Sequence, residues 1–276
     1  MKLDSSTVHS FRELVWDYYH DNERSMPWRD EPTPYYVCVS EIMLQQTQVS
    51  RVIPKFNLFI DQFPTVHDLA DASLSDVLIA WQGLGYNRRA KFLHQAAQMV
   101  ENEYGGEFPN NESELVKLAG IGPNTAGAIL AYAFEEPSVF IETNIRSVYF
   151  HHFFENAEMV NDAELREVVA ATLDYEQPRE WYWALMDYGS YLKSQNHGQI
   201  KKSRHYVKQS AFIGSNRQIR GVIIRALAQK PSTLHELSVA AGKDSRVEAA
   251  CSRLEIEGLI QKHNDKWRLT EAIHPS

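Results

Sequence analysis

The sequence predicts a mainly α protein: a long all-helical part followed by a small C-terminal winged helix–turn–helix domain. Three observations carry this. Apolar residues recur at helical spacing through successive segments, separated by short Gly/Pro punctuation at Gly83, Gly85, Gly105-Gly106 and Pro109. No alternating apolar/polar pattern appears before about residue 258. After it, residues 259–263 and 266–270 alternate around Asn264-Asp265, which reads as a β-hairpin.

Residues 7–20 form the first amphipathic segment, with Val8, Phe11, Leu14, Val15 and Tyr18 on one face. Helical segments follow at 37–62, 66–71, 74–81, 88–103, 112–117, 123–133, 143–154, 162–172 and 178–192. Within the first of these, Val49, Val52, Ile53, Phe56, Ile60 and Phe63 keep helical spacing, and Glu41 lies at its beginning beside Val39, Ile42 and Met43. A carboxylate there has two readings. It stabilises the helix N-terminus, or its apolar surroundings disfavour the charged form, raise its pKa and prepare a proton donor.

Leu118-Ala-Gly-Ile-Gly-Pro-Asn-Thr-Ala126 reads as a hairpin between two helices. Gly120 and Gly122 allow the tight turn, and Pro123 suits the first helical position, where its missing N–H costs nothing. The backbone N–H groups at the helix mouth suit an anion such as a DNA phosphate, without base readout. An ordinary helix–helix turn is the alternative. Phe140-Ile-Glu-Thr-Asn144 then places the carboxylate Glu142 shortly after that helix.

In the C-terminal part, helices are predicted at 218–227, 233–241 and 245–257. Ile219, Val222, Ile223, Leu227, Leu237, Val247, Leu254, Leu259, Trp267 and Leu269 can form an independent core. The third helix carries Arg246 and Arg253 but also Glu248, Glu255 and Glu257, a mixture poorly suited to entering a major groove. The domain is therefore expected to add DNA affinity, or to dock on the lobe it follows, without choosing a base.

The composition, 43% hydrophobic and 23% charged, is that of an ordinary globular protein, and no apolar stretch approaches a membrane span. The segment Met1-Lys-Leu-Asp-Ser-Ser has no signal-peptide character, which predicts a cytoplasmic, nucleoid-associated protein. The net charge of −8 conceals an uneven distribution: residues 188–235 hold nine Lys and Arg and none of the 36 acidic residues. Such a stripe is either an electrostatic footprint for DNA or a solvated linker. Two cysteines, Cys38 and Cys251, are too few for a four-thiolate cluster.

Taken in order, Pro27-Trp-Arg29, Thr33-Pro-Tyr35, Ser40-Glu-Ile-Met-Leu-Gln-Gln-Thr-Gln-Val49, Pro64-Thr65, Gly83-Leu-Gly-Tyr86, the hairpin and Met186-Asp-Tyr-Gly189 resemble the helix–hairpin–helix (HhH-GPD) DNA glycosylase superfamily. The branch most resembled is the mismatch adenine glycosylases, with endonuclease III more distant; the resemblance runs from about residue 26 to 193. It implies a two-lobed fold: a six-helix barrel lobe at 30–136, a second lobe from 1–29 and 137–213, and then 214–276. DNA would lie across the cleft, with Glu41 and Glu142 facing each other. It further implies that Gln46 plugs the gap left by an extruded base, that Glu41 protonates that base, and that Glu142 with Asn144 stabilises the oxocarbenium-like sugar. Arg29, Tyr86, Arg88, Gly120, Gly122, Asn124, Thr125 and, in the basic stripe, Lys201, Lys202 and Arg204 would contact DNA.

Four departures stand out. The family acid is an Asp, and Glu142 adds a methylene, moving the carboxylate by roughly 1.5 Å. Asn124 occupies the position of the lysine of the lyase branch, which implies hydrolysis without strand cleavage. Gly85-Tyr86-Asn87 stands where adenine glycosylases carry tandem tyrosines. The winged domain replaces a larger one that recognises 8-oxoguanine. Lys193 stands where the first iron–sulfur cysteine would be, which implies a clusterless member. No cofactor is expected, apart from a monovalent or Mg cation bridging Gly120–Gly122 to a DNA phosphate. The expected partner is double-stranded DNA with a damaged or mismatched base, bound by a monomer with no membrane association. A noncatalytic lesion-binding protein that retains the glycosylase fold is the alternative.

Overall fold

A computed structural model describes residues 3–198 and 211–271. The elements in order are α1 (Ser5–Asn22), α2 (Pro27–Asp30), α3 (Pro34–Leu44), α4 (Val49–Gln62), α5 (Val66–Asp71), α6 (Leu74–Ala80), α7 (Arg88–Tyr104), α8 (Glu112–Leu115), α9 (Pro123–Phe134), α10 (Thr143–His152), α11 (Asp162–Thr172), α12 (Pro178–Ser194), α13 (Asn216–Leu227), β1 (Ser232–Thr233), α14 (Leu234–Ala240), α15 (Val247–Ile256), β2 (Ile260–His263) and β3 (Lys266–Leu269). None of the described helices is long and apolar enough to cross a membrane.

The chain divides into two compact units. The first comprises residues 1–38, 110–117 and 121–208, and the second 39–109, 118–120 and 209–276. This division differs from the expected lobes: residues 30–38, 110–117 and 121–136 group with the first unit, where α9 packs on α12, and the C-terminal domain groups with 39–109.

In the first unit α12 is the central helix, packed against α1, α9 and α10. Its Trp181, Tyr182 and Leu185 are fully buried, and Phe11 of α1 meets Tyr149, Phe153 and Trp181 at ring distances of 5.4, 4.8 and 6.0 Å. The aromatic content of this core follows from the sequence: six Trp, 13 Tyr and 12 Phe supply large rigid surfaces whose burial dominates core energetics. At the crossing of α10 and α12 a Cβ on Gly189 would lie 2.2 Å from the Asn144 carbonyl oxygen, so only glycine permits this approach.

In the second unit α5 and α6 pack on α7, and α4 on α6, around Val52, Phe56, Phe59, Leu69, Leu78, Trp81 and Leu93. Caps set the boundaries: Thr65 and Asp68 form a reciprocal capping box at α5, and Ser73 accepts from Asp76 N–H at α6. The C-terminal part adds three helices and an antiparallel sheet of order β1-β3-β2, with Ile260 opposite Leu269 and Ser232 opposite Trp267. Its core contains the expected set, except that Val222 is half-buried and Ile224 takes an interior place. Strand β1 escaped the sequence reading because two residues are too few to show alternation. Lys91 of α7 donates to the Glu257 carbonyl at 2.8 Å, fixing this part to α7.

Candidate active site

Glu41 lies three residues before the end of α3, 8% exposed, among the buried residues Cys38, Val39, Ile42 and Met43. It is therefore not at a helix N-terminus, and stabilisation of that terminus is removed as an explanation. The single helix expected over 37–62 is in fact two. The chain leaves α3 at Leu44, Gln46 adopts a left-handed φ of 58°, and α4 starts at Val49.

The physical cause of the break is Arg89. Its guanidinium donates to the carbonyls of Ile42, Met43 and Gln45 at 2.7, 2.9 and 2.5 Å, to Thr47 Oγ1 at 3.2 Å and to Gly85 O at 3.2 Å. A helix ends with carbonyls that have no intrahelical partner and a negative dipole end, and a buried cation answers both. Burial pulls the Arg89 pKa down to about 10, which leaves it charged at neutral pH. Sequence reasoning selected the exposed neighbour Arg88 and missed Arg89; the only available signal was the Arg-Arg doublet at the start of a helix. Arg88 stacks over Phe92 at 5.2 Å.

Tyr86 also has a left-handed φ, 50°, and the residue is 38% exposed. Two guanidiniums lie over its ring, those of Arg89 at 5.4 Å and Arg217 at 5.5 Å, and Arg217 donates to its hydroxyl at 2.9 Å. Gln46, Tyr86 and Arg88 thus come together on the wall of one concavity of about 400 Å³.

The first unit holds the other acid. Glu142 is the N-terminal cap residue of α10 and half-buried. Two residues on, Asn144 Oδ1 accepts from Lys193 Nζ at 3.1 Å, and Asn144 Nδ2 points at Met186 Sδ, 3.9 Å away. Burial lowers the Lys193 pKa from the ordinary lysine value. Asn124 Oδ1 accepts from the Ile141 N–H at 3.4 Å, tying the start of α9 to the segment that carries Glu142. Thr125 follows it, half-buried.

At the hairpin the two glycines differ. Gly120 has φ 77°, and a Cβ there would meet Phe92 Cβ at 2.7 Å, so glycine is required. Gly122 has φ −93°, which any residue adopts, and the space at its Cβ position is open. It caps α9 and leaves the mouth of that helix uncovered, with the Asn124 and Thr125 N–H groups lacking intrahelical acceptors by helix geometry.

Arg29 is placed differently from expectation. Its guanidinium donates to both Asp187 oxygens at 2.9 and 2.8 Å, stacks over Trp183 at 5.3 Å and has a side chain 7% exposed. Its donors are turned to a buried carboxylate rather than to an external phosphate. Asp187, of the Met186-Asp-Tyr-Gly189 peptide, also takes Arg24 at 2.8 Å. Lys201, Lys202 and Arg204 lie outside the described residues. Among the described residues no group of three or more His, Cys, Asp or Glu is arranged to hold a metal ion, and Cys38 and Cys251 are both buried.

Residues 39–263 match the model of the HhH-GPD superfamily base excision DNA repair protein. The adenine DNA glycosylase of Buchnera aphidicola subsp. Baizongia pistaciae is 36% identical over 183 residues, covering 65% of this chain and 51% of that protein. The adenine DNA glycosylase of Mycolicibacterium smegmatis is 31% identical over 272 residues, 91% of this chain and 92% of that protein. The chain thus spans about half the length of the Buchnera relative. Among solved structures, a thermostable thymine-DNA glycosylase superposes with a TM-score of 0.62 at 24% identity, covering 67% of this chain and 87% of that one. A trapped endonuclease III–DNA covalent intermediate superposes at 0.60 and 18%, covering 69% and 88%. At these identities the structural matches speak to the fold.

Proposed function

Because this chain belongs to the HhH-GPD superfamily of base excision DNA repair proteins, we propose that it is a DNA glycosylase that extrudes adenine from a mismatched duplex and hydrolyses its N-glycosidic bond. The observation that carries this reading is Glu41: a carboxylate 8% exposed, set in an apolar wall, on the helix whose end Arg89 fixes. Shielding from bulk water is the setting that a general acid of this reaction needs.

In this mechanism Gln46 enters the duplex and fills the space the base leaves. Its left-handed backbone, held by the Arg89 bond to the adjacent Gln45 carbonyl, presents it at the break between α3 and α4. Glu41 protonates the departing base so that it leaves neutral. Positive charge then develops on the sugar, and the Glu142 carboxylate stabilises it. Asn144, held by Lys193, orients that end of the site, and water completes the hydrolysis. Asn124, whose side chain is engaged with Ile141 N–H, supplies no amine for a Schiff base. The mouth of α9 grips a phosphate through backbone N–H groups. We read α13–α15 with their sheet as a winged helix that contributes to duplex binding, the protein acting as a monomer.

A panel of duplexes, each with one mismatched or modified base, tests this by heat and alkali cleavage after incubation, with borohydride in a parallel arm. The expected result is alkali-dependent breaks at mismatched adenine and no covalent trapping. Strand breaks without alkali, or efficient trapping, would contradict the hydrolytic reading, and an unreactive panel would favour the lesion-binding alternative.

A further inference from the structure

We propose that Arg166, on α11, is a positioning residue for the excision reaction: it fixes the extended segment that carries Glu142 and acts on the chemistry through that acid. The role rests on the glycosylase reading, which gives Glu142 the charge that stabilises the sugar.

Residues 138–142 join α9 to α10 and belong to no helix or strand. Regular backbone pairing therefore does not set their course, and their carbonyls and N–H groups take side-chain partners from neighbouring elements. Tyr182 of α12 donates its hydroxyl to the Ser138 carbonyl at 2.7 Å. Arg166 Nη1 donates to the Val139 carbonyl at 2.9 Å. Phe140 is fully buried with its ring 4.2 Å from that of Tyr182, and a Cβ on Gly127 of α9 would lie 2.8 Å from the Phe140 Cβ. Asn124 Oδ1 accepts from the Ile141 N–H at 3.4 Å, and Glu142 follows as the cap of α10.

Among these ties Arg166 stands apart. Tyr182 and Phe140 are core residues, whose loss would disturb the unit as a whole. Arg166 is exposed, so the interior does not depend on its volume. Yet the carbonyl it holds lies three residues before Glu142, and a bond from a guanidinium is of the stronger, charge-assisted kind. Its Nη2 also stands 3.5 Å from Asn124 Oδ1, the oxygen that receives the Ile141 N–H. A cation on that side keeps the amide oxygen turned towards both donors. Arg166 thus acts on the segment directly at Val139 and, more weakly, at Ile141 through Asn124. A group displaced by about 1 Å from the reacting centre loses about a hundredfold in rate. A segment that keeps its other ties shifts less, so the expected loss is about tenfold.

Three measurements on the full chain test this: single-turnover excision of adenine opposite guanine at saturating protein, equilibrium binding of a duplex with a tetrahydrofuran abasic analogue, and thermal melting. Arg166→Met keeps the stem and removes the donors. It should excise about tenfold more slowly, bind the analogue within about threefold of the parental protein and melt within about 3 °C of it. Arg166→Lys, which keeps a donor for the Val139 carbonyl, should recover part of the rate. Because Arg166 acts through Glu142, the two changes should not multiply: Arg166→Met combined with Glu142→Asp should be at most about threefold slower than Glu142→Asp alone. If Arg166→Met melts lower than expected, rates normalised to the folded fraction decide in the same way. Rate and binding falling together would make Arg166 a phosphate contact and overturn the proposal. A parental rate in Arg166→Met, or a full tenfold loss added to Glu142→Asp, would also overturn it; in each case the glycosylase reading stands. If the parental protein excises nothing, both fall.

Discussion

Lys193 Nζ donates to Asn144 Oδ1 at 3.1 Å, from the position where the resemblance placed a cluster cysteine. The contact fixes a polar residue two positions from Glu142. The Lys193 stem is packed by the following turn, where a Cβ on Gly198 would lie 2.6 Å from Lys193 Cγ. Lys193→Met should lower the single-turnover excision rate by about ten- to a hundredfold, the effect of a misplaced group near the reacting centre. Unfolding free energy should change by less than about 1 kcal/mol, since the hydrogen bond is exposed. Lys193→Arg should recover part of the rate. Quench-flow on parental and variant proteins checks this, and equal rates would reduce the contact to surface decoration.

Glu142→Asp is expected to cost about a hundredfold in rate. The backbone that carries the acid is held on both sides, by Asn124 at Ile141 and by the Gly189 approach at Asn144. It therefore cannot advance to compensate for a lost methylene. Faster excision by Glu142→Asp would mean that the site is still shaped for the shorter acid.

Asp187 is 2% exposed and bound by Arg24 and Arg29. Asp187→Asn should destabilise the protein by about 3–5 kcal/mol, because two guanidiniums lose their anion in a buried setting. Urea denaturation measures this. Arg29→Gln should also destabilise, with no specific loss of DNA affinity in the folded fraction. A stable Arg29→Gln variant that binds DNA weakly would restore the DNA-contact role.

His152 is held neutral in the fold. Burial, and then repulsion from His151, lowers its pKa to about 4, and its Nε2 pairs with the Tyr188 hydroxyl at 2.9 Å. The folded pKa lies below the unfolded value of about 6.5. The unfolded chain therefore binds the proton first, and stability is lost as pH falls from about 6.5 towards 4. The contribution should be on the order of 1 kcal/mol, given the partial exposure. His152→Gln should flatten the thermal-melting profile in that window; an unchanged slope would place the acid sensitivity elsewhere.

Much of this was legible in the chain. The hairpin, the C-terminal helices and sheet, and most helix boundaries follow from local signals: periodicity, glycine with left-handed φ, capping residues. The break between α3 and α4 was not, because it is made by Arg89, some 45 residues downstream, and nothing local to Gln46 announces it. Arg29 misled for the converse reason: an Arg in a matching motif says nothing about whether its partner is a phosphate or Asp187, 158 residues away. Lys193 and Arg217 were visible as basic residues, but their partners Asn144 and Tyr86 are set only by packing.

The central claim, that Glu41 is the proton donor of a base-excising enzyme, is tested most directly by single-turnover kinetics of parental protein and Glu41→Gln. The duplexes carry one adenine opposite guanine or 8-oxoguanine, with adenine opposite thymine as control, and alkali-labile breaks are followed in time. The account predicts excision of the mismatched adenine by the parental protein and none by Glu41→Gln, with binding to an abasic-analogue duplex kept within a few-fold, since the carboxylate acts on the transition state rather than on ground-state grip. Excision by Glu41→Gln at the parental rate would contradict it.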